Sequence, residues 1–188
     1  MQIVSENLKF VYNKKSEFKR QALNGVNLTV NEGDFFGIIG KTGSGKSTFI
    51  QHLNGLIPVQ EGKLIVDGFD LSQGVKKSNE ELKGLRSKVG MVFQYPEAQL
   101  FAESVFEDVA FGIRNFFPDI TEETLNQRVE KALKCVGLNY NEIKDRSPFD
   151  LSGGQKRRVA IAGVLVSEPE ILVLDEPVAG LDPVGKTE

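Results

Sequence analysis

The chain has 188 residues, of which 40% are hydrophobic, and a formal net charge of −3. A chain of this length can bury a substantial core, and its small charge argues against a broad basic surface for nucleic acid. The single cysteine excludes an internal disulfide, and the longest apolar run, 159–166, is too short to span a bilayer. The opening residues "MQIVSENLKF" contain no evident secretory signal. We therefore expect a cytoplasmic α/β protein without a nucleic-acid partner, whose short basic clusters, such as Lys156-Arg157-Arg158, are solvated.

Strands and turns dominate the predicted structure of residues 3 to about 71. Turn signals occur at Asn24-Gly25, Asn31-Glu32-Gly33 and Asp67-Gly68. The apolar run 35–39 predicts a buried parallel strand, and the apolar pattern that starts at Thr48 predicts a helix. The segment between them is therefore predicted to be a loop that joins a strand to a helix.

This loop, "GKTGSGKS" at 40–47, matches the pattern G-x-x-x-x-G-K-[ST] of loops that bind nucleotide phosphates. Bare glycine backbone and a helix N-terminus can surround a polyphosphate with N–H donors. We expect Lys46 to neutralise the β and γ phosphates and Ser47 to offer its hydroxyl to Mg²⁺. A Gly-rich turn that matches by accident is the alternative, and the flanking strand and helix argue against it. The predicted phosphate-binding residues are Gly40, Thr42, Gly43, Ser44, Gly45, Lys46, Ser47 and Thr48.

The rest of the first half and the middle of the chain carry fewer chemical signals. His52, in the helix after the loop, is expected to be a surface or packing residue. The segment "SQGVKKSNEELKG" at 72–84 predicts a mobile surface loop, and 95–167 predicts helices. One of these helices should begin after Thr121, whose side chain can cap it. Cys135 falls on the apolar side of this helical pattern, so we expect it to be a small buried hydrophobe.

A second apolar run, 171–174, ends in Asp175-Glu176-Pro177. A carboxylate at the C-terminal end of a parallel strand lies at the edge of the sheet where ligands bind in open α/β sheets. Asp175 can hold Mg²⁺ through its water shell, and Glu176 can accept a proton from a water that attacks the γ-phosphorus. The alternative is that both acids simply begin a turn before the proline.

A third motif, "LSGGQKRRVAIAG" at 151–163, begins a helix with a serine and two glycines and predicts a second anion site. With it the sequence resembles the nucleotide-binding domain of ABC transporters, whose signature LSGGQ is matched at 151–155 and whose two subunits sandwich two ATP molecules head to tail. The resemblance implies that Ser152, Gly153 and Gly154, with Gln155 completing the motif, contact the γ-phosphate held by the partner subunit's Lys46.

Other positions match the same family. Gln94 matches the Q-loop glutamine, which reaches Mg²⁺ and the attacking water. Tyr12 lies where the family has an aromatic residue that stacks on adenine, although a strand tyrosine in the core remains an alternative. Asp182, in "AGLDP", matches the D-loop that meets the opposite subunit. The resemblance implies an α/β P-loop NTPase fold over 1–188, with a RecA-like core, an antiparallel β subdomain and a helical subdomain at about 95–167.

The segment "MVFQYPEAQLFAESVFEDVAFG" at 91–112, with "QHLNGL" after the phosphate loop, is similar to the ATPases of energy-coupling factor (ECF) importers for vitamins and for cobalt or nickel. This similarity implies a transmembrane coupling subunit that docks near Tyr95–Phe101 and a second ATPase subunit, identical or paralogous. A substrate-binding membrane subunit would be an indirect partner. The protein would then lie on the cytoplasmic face of the cell membrane.

These observations predict a MgATP-hydrolysing transport subunit. A soluble ABC ATPase with a non-transport role is one alternative, and an inactive nucleotide-binding fragment is another. In the family a helix and a strand that ends in the switch histidine follow the D-loop, and Glu188 precedes both. We therefore expect a fragment with little hydrolytic activity alone. We also expect no direct pairing between 35–39 and 171–174, because the family places another strand between them.

Overall fold

The computed structural model describes residues 2–177, and the chain divides into two compact units between Arg86 and Ser87. The first unit contains a four-stranded antiparallel sheet in the order β2-β1-β3-β4. The strands are β1 (Gln2–Tyr12), β2 (Arg20–Asn31), β3 (Glu61–Val66) and β4 (Phe69–Asp70). Helix α1 (Lys46–Leu53) follows β2, and α2 (Asn79–Lys88) follows β4.

Of two turns predicted in this sheet, one is confirmed and the other is wrong. Asp67-Gly68 reverses the chain between β3 and β4, with both residues at positive φ, as a tight hairpin turn requires. Asn24-Gly25, by contrast, lies inside β2, so its prediction as a turn is wrong. Leu8 pairs with Val26 but the next residue pairs with Asn24, which leaves Gly25, at φ 75°, as the extra residue of a β-bulge.

Helix α2 occupies part of the segment that was expected to be a loop. Ser78 Oγ accepts a hydrogen bond from Glu81 N–H at 3.1 Å, and Glu81 Oε2 accepts one from Ser78 N–H at 2.8 Å. This reciprocal pair is a capping box, which satisfies two N–H groups at the start of a helix. Leu85 then anchors the helix because its side chain is fully buried.

The predicted parallel strand at 35–39 belongs to neither sheet of residues 2–177. Phe35 and Ile39 are almost fully exposed, at 103% and 96%. A parallel strand depends on ladder partners along its edges, and no described strand pairs with this run.

Among residues 87–177, the second unit combines a parallel strand pair with four helices. Strands β5 (Val89–Val92) and β6 (Ile171–Leu174) pair in parallel over their whole length. The helices between them in sequence are α3 (Val105–Phe116), α4 (Glu122–Cys135), α5 (Tyr140–Ile143) and α6 (Gly153–Leu165), and single 3₁₀ turns form at Pro96–Gln99 and Pro148–Asp150. This agrees with the helical pattern that was predicted for 95–167.

Helices α3, α4 and α6 surround the hydrophobic core of this unit. Their inward faces contribute Val105, Val109, Ile113, Leu125, Val129, Leu133, Val159 and Ala162, all of which are essentially inaccessible to solvent. Helices α3 and α6 approach closely at two glycines, because a Cβ on Gly112 would lie 3.5 Å from the carbonyl oxygen of Gly163. This contact positions α6, which begins directly after the signature serine.

Helix α4 begins where it was predicted, but the burial predicted for its last residue, Cys135, is wrong. Thr121 caps it by accepting a hydrogen bond from the N–H of Thr124 at 3.2 Å. Cys135 is exposed, so its prediction as a buried hydrophobe is wrong. The core face is formed by Leu125, Val129 and Leu133, and the helix step of about 100° per residue turns Cys135 away from it.

We expect Leu133→Ala to lower the free energy of unfolding of the intact protein by about 2–5 kcal/mol, because it leaves a cavity in a fully packed core. Cys135→Ala, two residues further along the same helix, should change it by no more than about 0.5 kcal/mol. Urea denaturation followed by circular dichroism measures both. Equal destabilisation by the two substitutions would contradict the assigned core face.

Candidate nucleotide-binding site

The phosphate loop requires glycine where it enters α1. Gly45 is the N-cap residue of α1, and its φ of 97° lies in a region that residues with a side chain rarely adopt. A Cβ at this position would lie 2.3 Å from the carbonyl oxygen of Ala22 on β2. The glycine therefore allows the loop to lie against the antiparallel sheet at the point where α1 begins.

Two cations hold the carbonyl groups of this loop. Lys46 Nζ donates hydrogen bonds to the carbonyl oxygens of Gly40 at 3.0 Å and Lys41 at 3.3 Å. Arg20 Nη2, from the start of β2, donates to the carbonyl oxygen of Gly43 at 3.2 Å. Sequence analysis missed Arg20, since nothing in the local pattern links the start of a strand to a loop more than twenty residues later. The loop thus has two positive charges beside its backbone.

Tyr12 ends β1 close to the first turn of α1. Its hydroxyl lies 3.2 Å from Thr48 Oγ1, and 37% of its surface is exposed. The tyrosine is therefore not part of the buried core, so the core alternative does not apply. The structure brings Tyr12 together with the predicted phosphate-binding Thr48 in the same unit.

The carboxylate end of the predicted site lies in the second unit. The pairing of Val92 with Leu174 places the segments that follow β5 and β6 side by side. Gln94 Nε2 donates a hydrogen bond to Glu176 Oε2 at 2.8 Å. Glu176 is exposed and has a positive φ of 47°, which is uncommon for a residue with a side chain and typical of functional turns. Asp175, one residue earlier, is buried.

The signature motif forms the start of α6 as predicted. Ser152 Oγ accepts a hydrogen bond from Gln155 N–H at 3.3 Å, and the Gln155 side chain accepts one from Ser152 N–H at 3.1 Å. Gly153 and Gly154 are exposed, and a Cβ on either would meet no neighbouring atom. The bare first turn of α6 therefore has room for an anion, and Gln155 has a capping role within it.

Arg157 contradicts the expectation that the basic cluster 156–158 is solvated. It is 7% exposed, and Nη2 donates a hydrogen bond to the carbonyl oxygen of Pro177. Arg157 thus ties the signature helix to the turn that follows Asp175 and Glu176. Asp182 lies outside the described residues.

The predicted docking segment, 95–101, has both exposed and buried members. Tyr95 and Phe101 are more than half exposed, whereas Leu100 belongs to the helical core. The Phe101 ring packs edge to face on Phe111 of α3, with centroids 4.8 Å apart. Asp108 accepts hydrogen bonds from the N–H groups of residues 101 and 102 at 3.0 and 2.8 Å. Helix α3 therefore holds the C-terminal end of the segment at Phe101, whose ring is still more than half exposed.

Comparison with known proteins identifies the family to which the chain belongs. The family model described as ABC transporter matches residues 23–179. The chain is 53% identical to the energy-coupling factor transporter ATP-binding protein EcfA2 of Clostridium perfringens and 54% identical to that of Symbiobacterium thermophilum. Both alignments cover 100% of this chain, but 64% and 63% of the two relatives. The chain thus spans less than two thirds of the length of these relatives.

Two solved structures are similar as well. CbiO1 of Clostridium perfringens, part of the ABC transporter complex CbiONQ, matches with a TM-score of 0.82 and 39% identity over 98% of this chain and 69% of that one. The ATP-binding cassette MJ0796, solved as a dimer bound to ADP and Pi, matches with a TM-score of 0.84 and 32% identity over 98% of this chain and 78% of that one.

The phosphate loop before α1, the carboxylates after β6 and the similarity to these cassettes define the fold as an ABC-type P-loop NTPase. The chain belongs to the ABC transporter family. Of the helices among residues 2–177, none is both long and apolar enough to cross a membrane.

We expect Gly45→Ala to lower the melting temperature of the intact protein and to weaken ATP binding, because the added Cβ would overlap the Ala22 carbonyl group. Backbone strain of this kind costs about 1–3 kcal/mol. Gly84→Ala is the control, since its Cβ in α2 would make only ordinary contact, 3.7 Å from the Phe69 ring. Calorimetry with and without ATP measures both effects, and unchanged stability and binding in Gly45→Ala would contradict this account of the loop.

Proposed function

We propose that the chain is the nucleotide-binding part of an ATPase subunit that powers an ECF-class importer of vitamins or transition-metal ions. Support for the class comes from the 53% and 54% identity to EcfA2 relatives over all 188 residues. The observation that carries the hydrolytic activity is the hydrogen bond from Gln94 to Glu176, at the C-terminal ends of two parallel strands. The whole protein would act at the cytoplasmic face of the membrane through its partner subunits.

In this proposal the phosphate loop binds the triphosphate of ATP. Residues 40–48 provide backbone N–H groups and the N-terminus of α1, where negative charge is stabilised. Lys46, whose ammonium group lies over the loop carbonyl groups, provides the charge for the β and γ phosphates. Tyr12 provides an exposed aromatic ring for the adenine. Arg20 adds positive charge beside the loop.

The predicted ligands of Mg²⁺ are Ser47, Gln94 and Asp175. All three have the hard oxygen donors that this ion prefers, and Gln94 donates to Glu176 through its nitrogen, which leaves its amide oxygen for a metal ion. Residues 2–177 contain no cluster of three or more His, Cys, Asp or Glu side chains that could hold a metal. The bound ion would neutralise charge on the phosphates.

Glu176 is the proposed general base. Water attacks the γ-phosphorus, its proton passes to the Glu176 carboxylate, and the bond from the γ-phosphorus to the β-phosphate oxygen breaks to release ADP. Gln94 holds the carboxylate oxygen Oε2 at 2.8 Å, which restricts where the base can point. A base held in this way needs no rearrangement before it accepts the proton.

A second ATPase subunit, identical or paralogous, is proposed to complete the site. Ser152, Gly153 and Gly154 at the start of α6 would meet the γ-phosphate bound to the partner, with Gln155 holding the cap. Asp182 would lie at the same subunit boundary. The supporting observation is the exposed, unobstructed first turn of α6. ATP would therefore stabilise the dimer by mass action.

The transmembrane coupling subunit is proposed to dock on 95–101. Exposed aromatic rings on a rigid support are typical of the central contacts in protein interfaces. Tyr95 and Phe101 have this exposure, and the Asp108 carboxylate and the Phe111 ring provide the support for Phe101. The substrate-binding membrane subunit would be reached only through this coupling subunit.

We expect Glu176→Gln in the intact protein to keep ATP binding and to slow hydrolysis by roughly 10²-fold or more, because the amide cannot accept the proton. The new side chain still offers an oxygen to Gln94 Nε2, so the position of residue 176 is preserved. Phosphate release and equilibrium binding are measured separately. Lys46→Ala is the comparison, because it should lose tight binding as well as turnover. Wild-type turnover in Glu176→Gln would remove this residue from the mechanism.

We expect Phe101→Ala to weaken association with the transmembrane subunit by about tenfold, because it removes an exposed aromatic anchor. ATP affinity should stay unchanged. Leu100 is left intact because it belongs to the core. Phe117→Ala, at the other end of α3, is the matched control and should retain the partner. Quantitative co-purification measures the association, and full retention of the partner by Phe101→Ala would contradict docking on this segment.

A further inference from the structure

His52 is the one histidine of the sequence, and the nucleotide-binding roles proposed above do not use it. The structure buries its side chain completely, so the packing alternative applies and the surface alternative does not. Its ring lies edge to face against Phe10 of β1, with centroids 5.0 Å apart. A polar ring in such a position needs a reason, because its nitrogens lose their hydration.

The hydrogen bonding of His52 defines its protonation state. Nδ1 lies 2.7 Å from the carbonyl oxygen of Thr48, one turn earlier in α1. A carbonyl oxygen can only accept, so Nδ1 carries the proton. Nε2 has no hydrogen-bond partner among the described residues, and burial lowers the pKa of the imidazole. The ring is therefore neutral, with one nitrogen anchored to the helix and the other facing the apolar interior.

His52 belongs to a closed circuit of contacts among four residues of the first unit, three between side chains and one through the Thr48 backbone carbonyl group. Phe10 packs edge to face against Tyr12, two residues later on the same face of β1, with centroids 4.8 Å apart. The Tyr12 hydroxyl lies 3.2 Å from Thr48 Oγ1. The Thr48 carbonyl group then returns the connection to His52. We name Phe10, Tyr12, Thr48 and His52 the aromatic ring cluster.

The aromatic ring cluster holds Tyr12 from two directions. Thr48 contacts the hydroxyl end of Tyr12, and the Phe10 ring packs against the Tyr12 ring itself. Phe10 in turn is held in place by the His52 ring, which the first turn of α1 anchors. Tyr12 is the only member with a substantial exposed surface.

We propose that His52 is a positioning residue for the adenine end of the nucleotide site, because its anchored ring supports Phe10 and thereby sets the orientation of Tyr12. This inference rests on the proposed ATP-binding function and deepens it. Since Thr48 and His52 both belong to the helix that begins at Lys46, the same helix presents the phosphate-binding groups and orients the adenine-binding ring. One helix, α1, would thus set the positions of both the phosphate-binding groups and the adenine-binding ring.

The test separates the adenine end of the nucleotide from its phosphate end. The intact protein and its His52→Leu variant are titrated with ATP and with inorganic triphosphate, each in the presence of Mg²⁺. His52→Leu fills the buried position with an apolar side chain of similar size but removes both the anchor and the aromatic edge. We expect its ATP affinity to fall about fivefold to tenfold, in keeping with the usual strength of base stacking, while triphosphate affinity stays within about twofold.

Two further variants distinguish positioning from general packing. His52→Phe loses the Nδ1 anchor but retains the aromatic contact with Phe10, so it should recover most of the lost ATP affinity, to within about threefold of the original protein. Leu53→Ala disturbs the neighbouring buried position of α1 and should leave the ratio of the two affinities unchanged. Melting temperatures of all variants show that the folded protein is being titrated.

Several outcomes would overturn the inference. A parallel loss of ATP and triphosphate affinity in His52→Leu would assign His52 to the fold of the phosphate loop alone. Unchanged ATP affinity, or no recovery in His52→Phe, would also reject it. Failure of the proposed function gives a different result, since the unsubstituted protein would then bind neither ligand. Equal affinity of that protein for ATP and triphosphate would reject the adenine role of Tyr12, and with it the positioning role of His52.

Discussion

The carboxylate end of the site depends on the register of one parallel strand pair. Val92 pairs with Leu174, and the N–H of Asp175 donates to the carbonyl oxygen of Val92 at 2.9 Å, so pairing continues one residue beyond β6. This register brings the segments after the two strands together, so that Gln94 can donate its hydrogen bond to Glu176 two residues beyond each strand. Backbone hydrogen bonds therefore decide which side chains can cooperate chemically.

The phosphate end depends on a different contact, between the antiparallel sheet and the loop before α1. Gly45 permits the loop to lie against the Ala22 carbonyl group, and Arg20 binds the loop from the same strand. Tyr12 reaches α1 from the neighbouring strand. The sheet thus contributes a close backbone contact and a charge to the loop, and an aromatic ring to the first turn of α1.

The residues that sequence analysis misjudged share a physical cause. Arg157 was expected in solvent, but a carbonyl acceptor distant in sequence makes its burial favourable. Cys135 and the run 35–39 were expected inside, yet burial requires neighbours that these positions do not have in the described structure. Helix α2 is different, since its capping box, Ser78 with Glu81, is a local signal that could have been recognised.

The sequence by itself determined the chemistry that depends on neighbours along the chain. The phosphate loop, the acids after an apolar run and the capped signature helix are local patterns, and their backbone geometry follows from glycine freedom, strand ends and helix caps. Tertiary structure alone decided which distant groups meet: Gln94 with Glu176, Arg157 with Pro177, and His52 with Phe10. These contacts depend on strand register and helix packing, which many residues set together, so no short pattern in the sequence can encode them.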